Sequence, residues 1–247
     1  LHQPHNLEGV RAFRQAFPGL PQIACFDTAF HATLAEVDYA FALPQALADQ
    51  GVRRYGFHGL SYQFIMDSLL ERSPRARSRV LMAHLGNGAS LCAAQDGKSC
   101  ATTMGFSALD GLMMGTRCGS IDPGAVIYLM EIEKLTLEQV GDMLYRQSGL
   151  LGVSGVSADP HLLLPLEATQ PRVQVALALY VRRIVHEIGA LTAALGGLDM
   201  LVFTAGIGEH NAEMRARICA GLGFLGAELD PQANARHAPR IDSATSR

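Results

Sequence analysis

The apolar positions of this chain follow two periods. From residue 172 to 195, Val173, Leu177, Val181, Ile184, Ile188, Leu191 and Leu195 recur at three- and four-residue spacing, with Arg182, Arg183 and Glu187 off that line. They form one stripe of a long amphipathic helix. Such a stripe packs on a sheet or on another chain, and its length favours the sheet. Helical spacing also marks residues 7–17, 29–39, 44–50, 61–71, 124–134 and 211–222. Ser61 stands where an N-cap belongs, Thr136 with Gln139 makes a capping box, and Gly223 is a natural stop. Short apolar runs at 22–26, 79–85 and 200–204 read as buried strands. Residues 90–95 and 98–103 flank Asp96-Gly97, a turn that closes β-hairpins. Residues 53–58 read as strand or loop. The glycine-rich stretches 105–123 and 149–159 read as loops, 86–89 and 205–209 as tight turns, and the tail from Asp230 is polar and weakly patterned. Strands alternating with long helices predict a layered α/β architecture.

Composition narrows the picture without changing it. With 247 residues, the chain has room for one or two domains and a sizeable core. A net charge of −3 argues against general nucleic-acid or acidic-membrane binding. No uninterrupted apolar run approaches ~20 residues, so no membrane span is expected. Residues 1–7 show no secretory signal pattern. The cysteines number five and include no C-x-x-C pair, which suits reduced thiols and a cytoplasmic location. The first residue, leucine, hints at truncation or processing. The 25 glycines cluster in short motifs and so read as loop geometry.

Four constellations carry candidate chemistry. His84-Leu-Gly-Asn-Gly88 follows a strand; its backbone N–H groups and Asn87 amide suit phosphate oxygens, or it is a hairpin turn with a core histidine. Thr204-Ala-Gly-Ile-Gly-Glu209 leads from strand to helix, which can aim a helix N-terminus at phosphate; it also fits an ordinary connection, and it is neither a Walker A loop nor G-x-G-x-x-G. Met114-Gly-Thr-Arg-Cys-Gly-Ser-Ile-Asp122 presents Arg117, whose planar fork suits carboxylate or phosphate unless it is a surface arginine. Phe26-Asp-Thr-Ala-Phe-His31 puts Asp27 at the end of an apolar run, where α/β proteins keep catalytic groups. Downstream, Tyr55-Gly-Phe-His-Gly59 offers His58 as a donor to developing charge or as a structural histidine, and His31 reads as a structural histidine.

These motifs, with Met104-Gly-Phe106 and Ser148-Gly-Leu-Leu-Gly-Val-Ser-Gly155, occur in the order found in the acetate kinase family, which this sequence resembles over nearly its whole length. The resemblance implies the two-lobed fold shared with sugar kinases, actin and the heat-shock ATPases: an actin-like, ribonuclease H-like α/β lobe. It implies reversible transfer of a phosphoryl group between ATP and a short carboxylic acid, acetate or propionate, with Mg²⁺, in a cytoplasmic homodimer. It puts Asp27 at the catalytic centre, near the acceptor carboxylate and the metal, with His58 and Arg117 on the phosphoryl group in flight. His84, Leu85, Gly86, Asn87 and Gly88, with Gly206, Ile207, Gly208, Glu209 and His210, would hold the nucleotide, ATP or ADP. Asp159 and His161 match a further nucleotide contact, an Asp-x-Arg in which histidine here replaces arginine.

Two other positions depart from the pattern: Tyr62 stands where the family usually has a second histidine after Gly-Thr-Ser, and His210 where asparagine is common. The family's opening Asn-x-Gly-Ser-Ser-Ser loop, its substrate arginine and its acidic Glu-Glu segment near the metal are absent, so the metal ligands are expected outside this sequence. Residues 1–28 therefore match the tail of a first lobe, and 29–247 most of a nucleotide lobe.

Overall fold

The computed structural model describes residues 3–246. Its centre is a four-stranded sheet in the order β3-β2-β1-β4. The strands are β1 (Val80–Leu85), β2 (Ala89–Gln95), β3 (Lys98–Thr102) and β4 (Met200–Thr204). β1, β2 and β3 run antiparallel in succession, whereas β4 lies parallel to β1, with Val80 opposite Met200. The hairpin between β2 and β3 turns at Asp96 (φ 51°) and Gly97 (φ 78°), the two left-handed positions that an Asp-Gly turn supplies.

In chain order the helices are α1 (Gln3–Ala16), α2 (Glu36–Tyr39), α3 (Gln45–Asp49), α4 (Gly59–Arg72), α5 (Pro123–Glu131), α6 (Leu137–Arg146), α7 (Gly149–Ser154) and α8 (Pro160–Leu163). They continue with α9 (Pro171–Leu195), α10 (Ala205–His210), α11 (Ala212–Ala220) and α12 (Pro231–Ala235). Strand alternation divides the core. Leu81, Ala83, Leu85, Leu91 and Ala93 point to one face and pack with Val173, Leu177, Ile184 and Ile188 of α9. Val80, Met82, Cys92 and Ala94 point to the other, against Phe30 and against Tyr62 and Met66 of α4. Both faces of β1 and β2 are thus covered, and their runs are largely apolar for that reason, His84, Ser90 and the terminal Gln95 excepted. Full burial of one such leucine stabilises by roughly 1.5–3 kcal/mol.

The α9 stripe faces the sheet as its spacing predicts, with Ala176, Tyr180 and Thr192 buried beside it. The capping box at Thr136 and Gln139 forms in full. Several expectations differ. Residues 22–26 are not a buried strand: Ile23 is 87% exposed and Phe26 67%, and no ladder partner reaches them. Residues 29–39 break into a 3-10 turn (Ala29–Thr33) and the single turn of α2. Ser61 is not an N-cap. α4 begins after His58, held at φ 58°, and Ser61 lies inside the first turn. Residues 149–154 are helical rather than loop, because backbone contacts to residues 114 and 115 fix their first turn. Residues 205–210 likewise form a helix, closed by a side chain described below. β4 is only half-buried, as befits a sheet edge, and α11 ends at Ala220, ahead of Gly223.

Candidate active site

The loop after β1 and the turn after β4 lie side by side at the carboxyl ends of two parallel strands, where open α/β sheets take ligands. A methyl group on Gly86 would stand 3.6 Å from Ala205 Cβ, so the two motifs touch. Ala205 adopts φ 65°, uncommon for a residue with a side chain. Glu209 Oε1 supports it, accepting from the Ala205 N–H and from Thr204 Oγ1, each at 3.1 Å. Buried Arg215 supports it from below, donating from Nη1 to the carbonyls of Gly208 (2.9 Å) and Glu209 (2.7 Å) while Nε donates to Asn234 Oδ1 (2.8 Å). Ile207 and Gly208 are buried, while Gly206 and His210 face solvent. The His210 ring lies edge-on to His237, centroids 6.1 Å apart.

Asp27 sits on the rim of the sheet, exposed. Its carboxylate accepts from the His58 backbone N–H (Oδ2, 2.9 Å) and its carbonyl from Gly59 N–H (2.7 Å). A side chain on Gly59 would strike that carbonyl, so the glycine permits the join. The left-handed backbone of His58 turns its ring over β2. There Nδ1 meets Ser90 Oγ at 2.8 Å, and the ring stacks on His84 with centroids 4.0 Å apart and planes 15° from parallel. His84 Nδ1 in turn meets Ser61 Oγ at 3.0 Å.

Arg117 completes the group. A methyl on Gly88 would stand 3.2 Å from Arg117 Nη2 and 3.5 Å from His58 Nε2, so all three residues face one small space. Arg117 Nη1 donates to the Ala108 carbonyl at 2.8 Å, and the Met114 N–H donates to the Arg117 carbonyl at 3.1 Å. α7 begins directly against this loop. Gly149 has φ 64°, and a methyl there would come within 2.8 Å of the Arg117 carbonyl. Asn87 faces a neighbouring wall, where a side chain on Gly115 would strike its Oδ1 and come within 3.1 Å of the Ala158 carbonyl.

The electrostatics follow from burial. Burial lowers the His58 pKa to about 4, reinforced by His84 and Arg117 and opposed by Asp27. Burial also lowers His84, against the pull of Asp27 and Glu209. Both shifts favour the neutral rings, and stacking acts in the same direction, since two imidazolium rings at this distance would repel. Burial lowers the Arg117 pKa too, yet a guanidinium stays charged in proteins. One fixed cation thus stands beside two neutral rings and an exposed carboxylate.

The structure brings together Asp27, His58, His84, Gly88 and Arg117, with Leu85, Gly86 and Asn87 in the same loop and Gly206, Ile207, Gly208 and Glu209 adjoining. Leu85 itself points into the core. Asp159 and His161 are exposed at the start of α8, where the Asp159 carboxylate accepts from the His161 N–H at 2.9 Å. Ala158, next to Asp159 in the chain, lies against Gly115, as Asn87 does. His31 is structural, with Nδ1 on Ser99 Oγ (2.9 Å) and Nε2 on the Phe57 carbonyl (3.0 Å). Sequence reasoning missed Ser90 and Arg215, and it singled out Tyr62 without a contact for its hydroxyl. Ser90 stands two residues after Gly88 and was within reach of that motif. Arg215 gave no signal, because its partners are backbone carbonyls and Asn234, which only the packing of α10, α11 and α12 brings together.

A family model described as the Acetokinase family matches residues 1–246. The chain belongs to that family. It is 57% identical over 237 residues to an acetate kinase of Rhodopseudomonas palustris, covering 95% of this chain and 59% of the relative. It is 51% identical over 249 residues to an acetate kinase of Methylocella silvestris, covering 100% of this chain and 61% of the relative. A crystal structure of Porphyromonas gingivalis acetate kinase superposes with a TM-score of 0.91 at 38% identity, covering all of this chain and 63% of that one. A propionate kinase structure from Francisella tularensis gives 0.95 at 38% identity, covering all of this chain and 64% of that one. The actin-like α/β fold expected from the resemblance is borne out. The acetokinase-family chain described here spans about three fifths of the length of the curated relatives it matches.

Proposed function

We propose that this chain supplies the nucleotide side of an acetate kinase, a phosphotransferase that moves a phosphoryl group reversibly from ATP to acetate, giving acetyl phosphate and ADP. The observation that carries this reading is the single space shared by Arg117, the neutral His58 and Gly88, beside Asp27 and at the carboxyl ends of β1 and β4. A carboxylate is already a nucleophile, so the reaction needs no strong base. Its obstacle is an anion approaching a polyanion, and catalysis there is mainly positioning and compensation of charge. Arg117 supplies the charge and His58 a neutral donor, both aimed at the oxygens of the phosphoryl group in transit. Asp27 orders His58 through its backbone and faces the acceptor. The loops 84–88 and 206–210 hold the nucleotide, with Asp159 and His161 at its margin.

Residues 1–28 belong in this reading to the tail of a first lobe, and 29–247 to the nucleotide lobe. Among the described residues no three His, Cys, Asp or Glu side chains converge as a metal site. A Mg²⁺ ion accompanying the nucleotide would be held largely by its phosphates and by water, and the roles above do not pass through it. Among the described residues no helix is long and apolar enough to cross a membrane. A cytoplasmic homodimer is part of the proposal, supported by the exposed Ile127, Tyr128, Met130 and Ile132 on and just after α5. Propionate is the second acceptor to consider, since the propionate kinase structure superposes at 0.95. One methylene discriminates by only ~1–3 kcal/mol.

Calorimetric titration of ATP and ADP, followed by an acyl-phosphate assay with acetate and propionate, tests this reading. Nucleotide binding with little or no turnover is expected of this chain alone. Failure to bind either nucleotide would overturn the site. Turnover near that of a full-length relative would overturn the division into lobes.

A further inference from the structure

The hydroxyls behind His58 form a chain whose direction can be counted. Tyr62 is fully buried. Among the described residues, the acceptor within reach of its hydroxyl proton is Ser90 Oγ, at 2.5 Å. Ser90, also fully buried, has one proton of its own and a second neighbour, His58 Nδ1 at 2.8 Å. Three arrangements are available, because a serine oxygen can accept twice. In the first, Tyr62 donates to Ser90 and Ser90 donates to Nδ1, and every proton has an acceptor. In the second, Nδ1–H donates to Ser90 and Ser90 to Tyr62, which strands the tyrosine proton in the core. In the third, Tyr62 and Nδ1–H both donate to Ser90, which strands the serine proton. Buried hydroxyls avoid that outcome. In the first arrangement Nδ1 is an acceptor and the ring proton of His58 sits on Nε2, the atom that faces Gly88 and Arg117.

We propose that Ser90, with Tyr62 donating to it, is a positioning residue that locks His58 in its Nε2–H tautomer, so that a neutral imidazole always presents a donor to the space it shares with Arg117. A buried tyrosine hydroxyl with one acceptor in reach sends its proton toward Ser90. The lock's use in phosphoryl transfer rests on the reading of His58 given above, but its existence does not.

The test is a long-range ¹H–¹⁵N correlation spectrum of the whole chain, ¹⁵N-labelled at histidine, at neutral pH without nucleotide. His58, assigned by its loss in His58→Gln, should show one tautomer, with Nδ1 unprotonated and Nε2 protonated. A predominant Nδ1–H form in the unaltered chain overturns the proposal without recourse to any variant. Ser90→Ala should lose the single-tautomer signature, with a mixture in its place. Tyr62→Phe leaves Nδ1 as the acceptor within reach of the Ser90 proton and should keep the single tautomer. If Ser90→Ala folds, as judged by its thermal transition, and keeps the wild-type signature, the lock is refuted. If Tyr62→Phe folds and loses it, the proton count behind the lock is refuted. Nucleotide binding and turnover enter none of these readouts, so failure here is distinct from failure of the kinase reading.

Discussion

His58 combines a strained backbone, a stacked neighbour and a hydroxyl chain, and its buried neutrality has a cost in acid. Its value is about 4 in the folded chain against 6.5 unfolded. Between those values the unfolded chain binds a proton that the folded chain refuses, so stability falls as pH drops through that window. The gap implies a loss of about 2 kcal/mol between pH 7 and pH 5. Urea unfolding at the two pH values should show it, and His58→Gln should flatten the difference. Burial lowers His31 and His84 as well, with the same sign. Glu167 and Asp199, each held below its ordinary value by an arginine, lose their contribution only at lower pH. Arg117 answers to a different measurement. In an intact, active form of the enzyme, Arg117→Ala should lower kcat by roughly 10²–10³, the usual loss for one such donor, while ATP affinity changes little. A kcat within about threefold of the parent would remove the role proposed here for Arg117. Residue roles of this kind were partly legible in the sequence. Asp27, His58 and Arg117 stood in motifs, whereas Ser90 and Tyr62 acquired meaning only once β2 and α4 set them on either side of one hydroxyl contact.

Elements were legible where period and caps agreed. The α9 stripe, the Asp96-Gly97 hairpin and the Thr136 capping box all formed as their local chemistry dictates. Residues 149–154 and 205–210 were misread because glycines suggested loops, while tertiary contacts supply what helix propensity lacks. α7 shows how. Its first residue, Gly149, abuts the Arg117 backbone, and the helix and the arginine loop hold one another in place. Gly149→Ala combines a left-handed φ with a backbone collision and should destabilise the chain by about 2–3 kcal/mol. Chemical denaturation would measure that loss. A near-silent substitution would mean the loop adjusts freely and that α7 does not position Arg117. The run 22–26 failed for the opposite reason, since its apolar residues specify burial but nothing here provides a strand to pair with.

Across the whole molecule, packing is uneven. Residues 5–20 are exposed throughout, with Leu7, Val10, Phe13 and Phe17 all turned outward, while the sheet and its two faces hold nearly all the buried core. Deleting residues 1–20 should therefore shift the unfolding free energy by less than about 0.5 kcal/mol, the range for changes that touch no packed feature. A larger loss in urea unfolding would show that α1 packs in solution. Exposed apolar side chains in that segment invite association, and sedimentation of the two forms would separate the effects.

The parallel pair of β1 and β4 has a further consequence, in the time domain. Val80 and Met200 meet across 120 intervening steps of chain, with α9 threaded between them, whereas β1, β2 and β3 close through short turns. Long closures are entropically late events in folding. One half of the proposed nucleotide cradle follows β1 and the other follows β4, so the hairpin assembles first and the two halves meet only when the last strand docks. During synthesis, residue 210 must leave the ribosome before both halves of that cradle can meet.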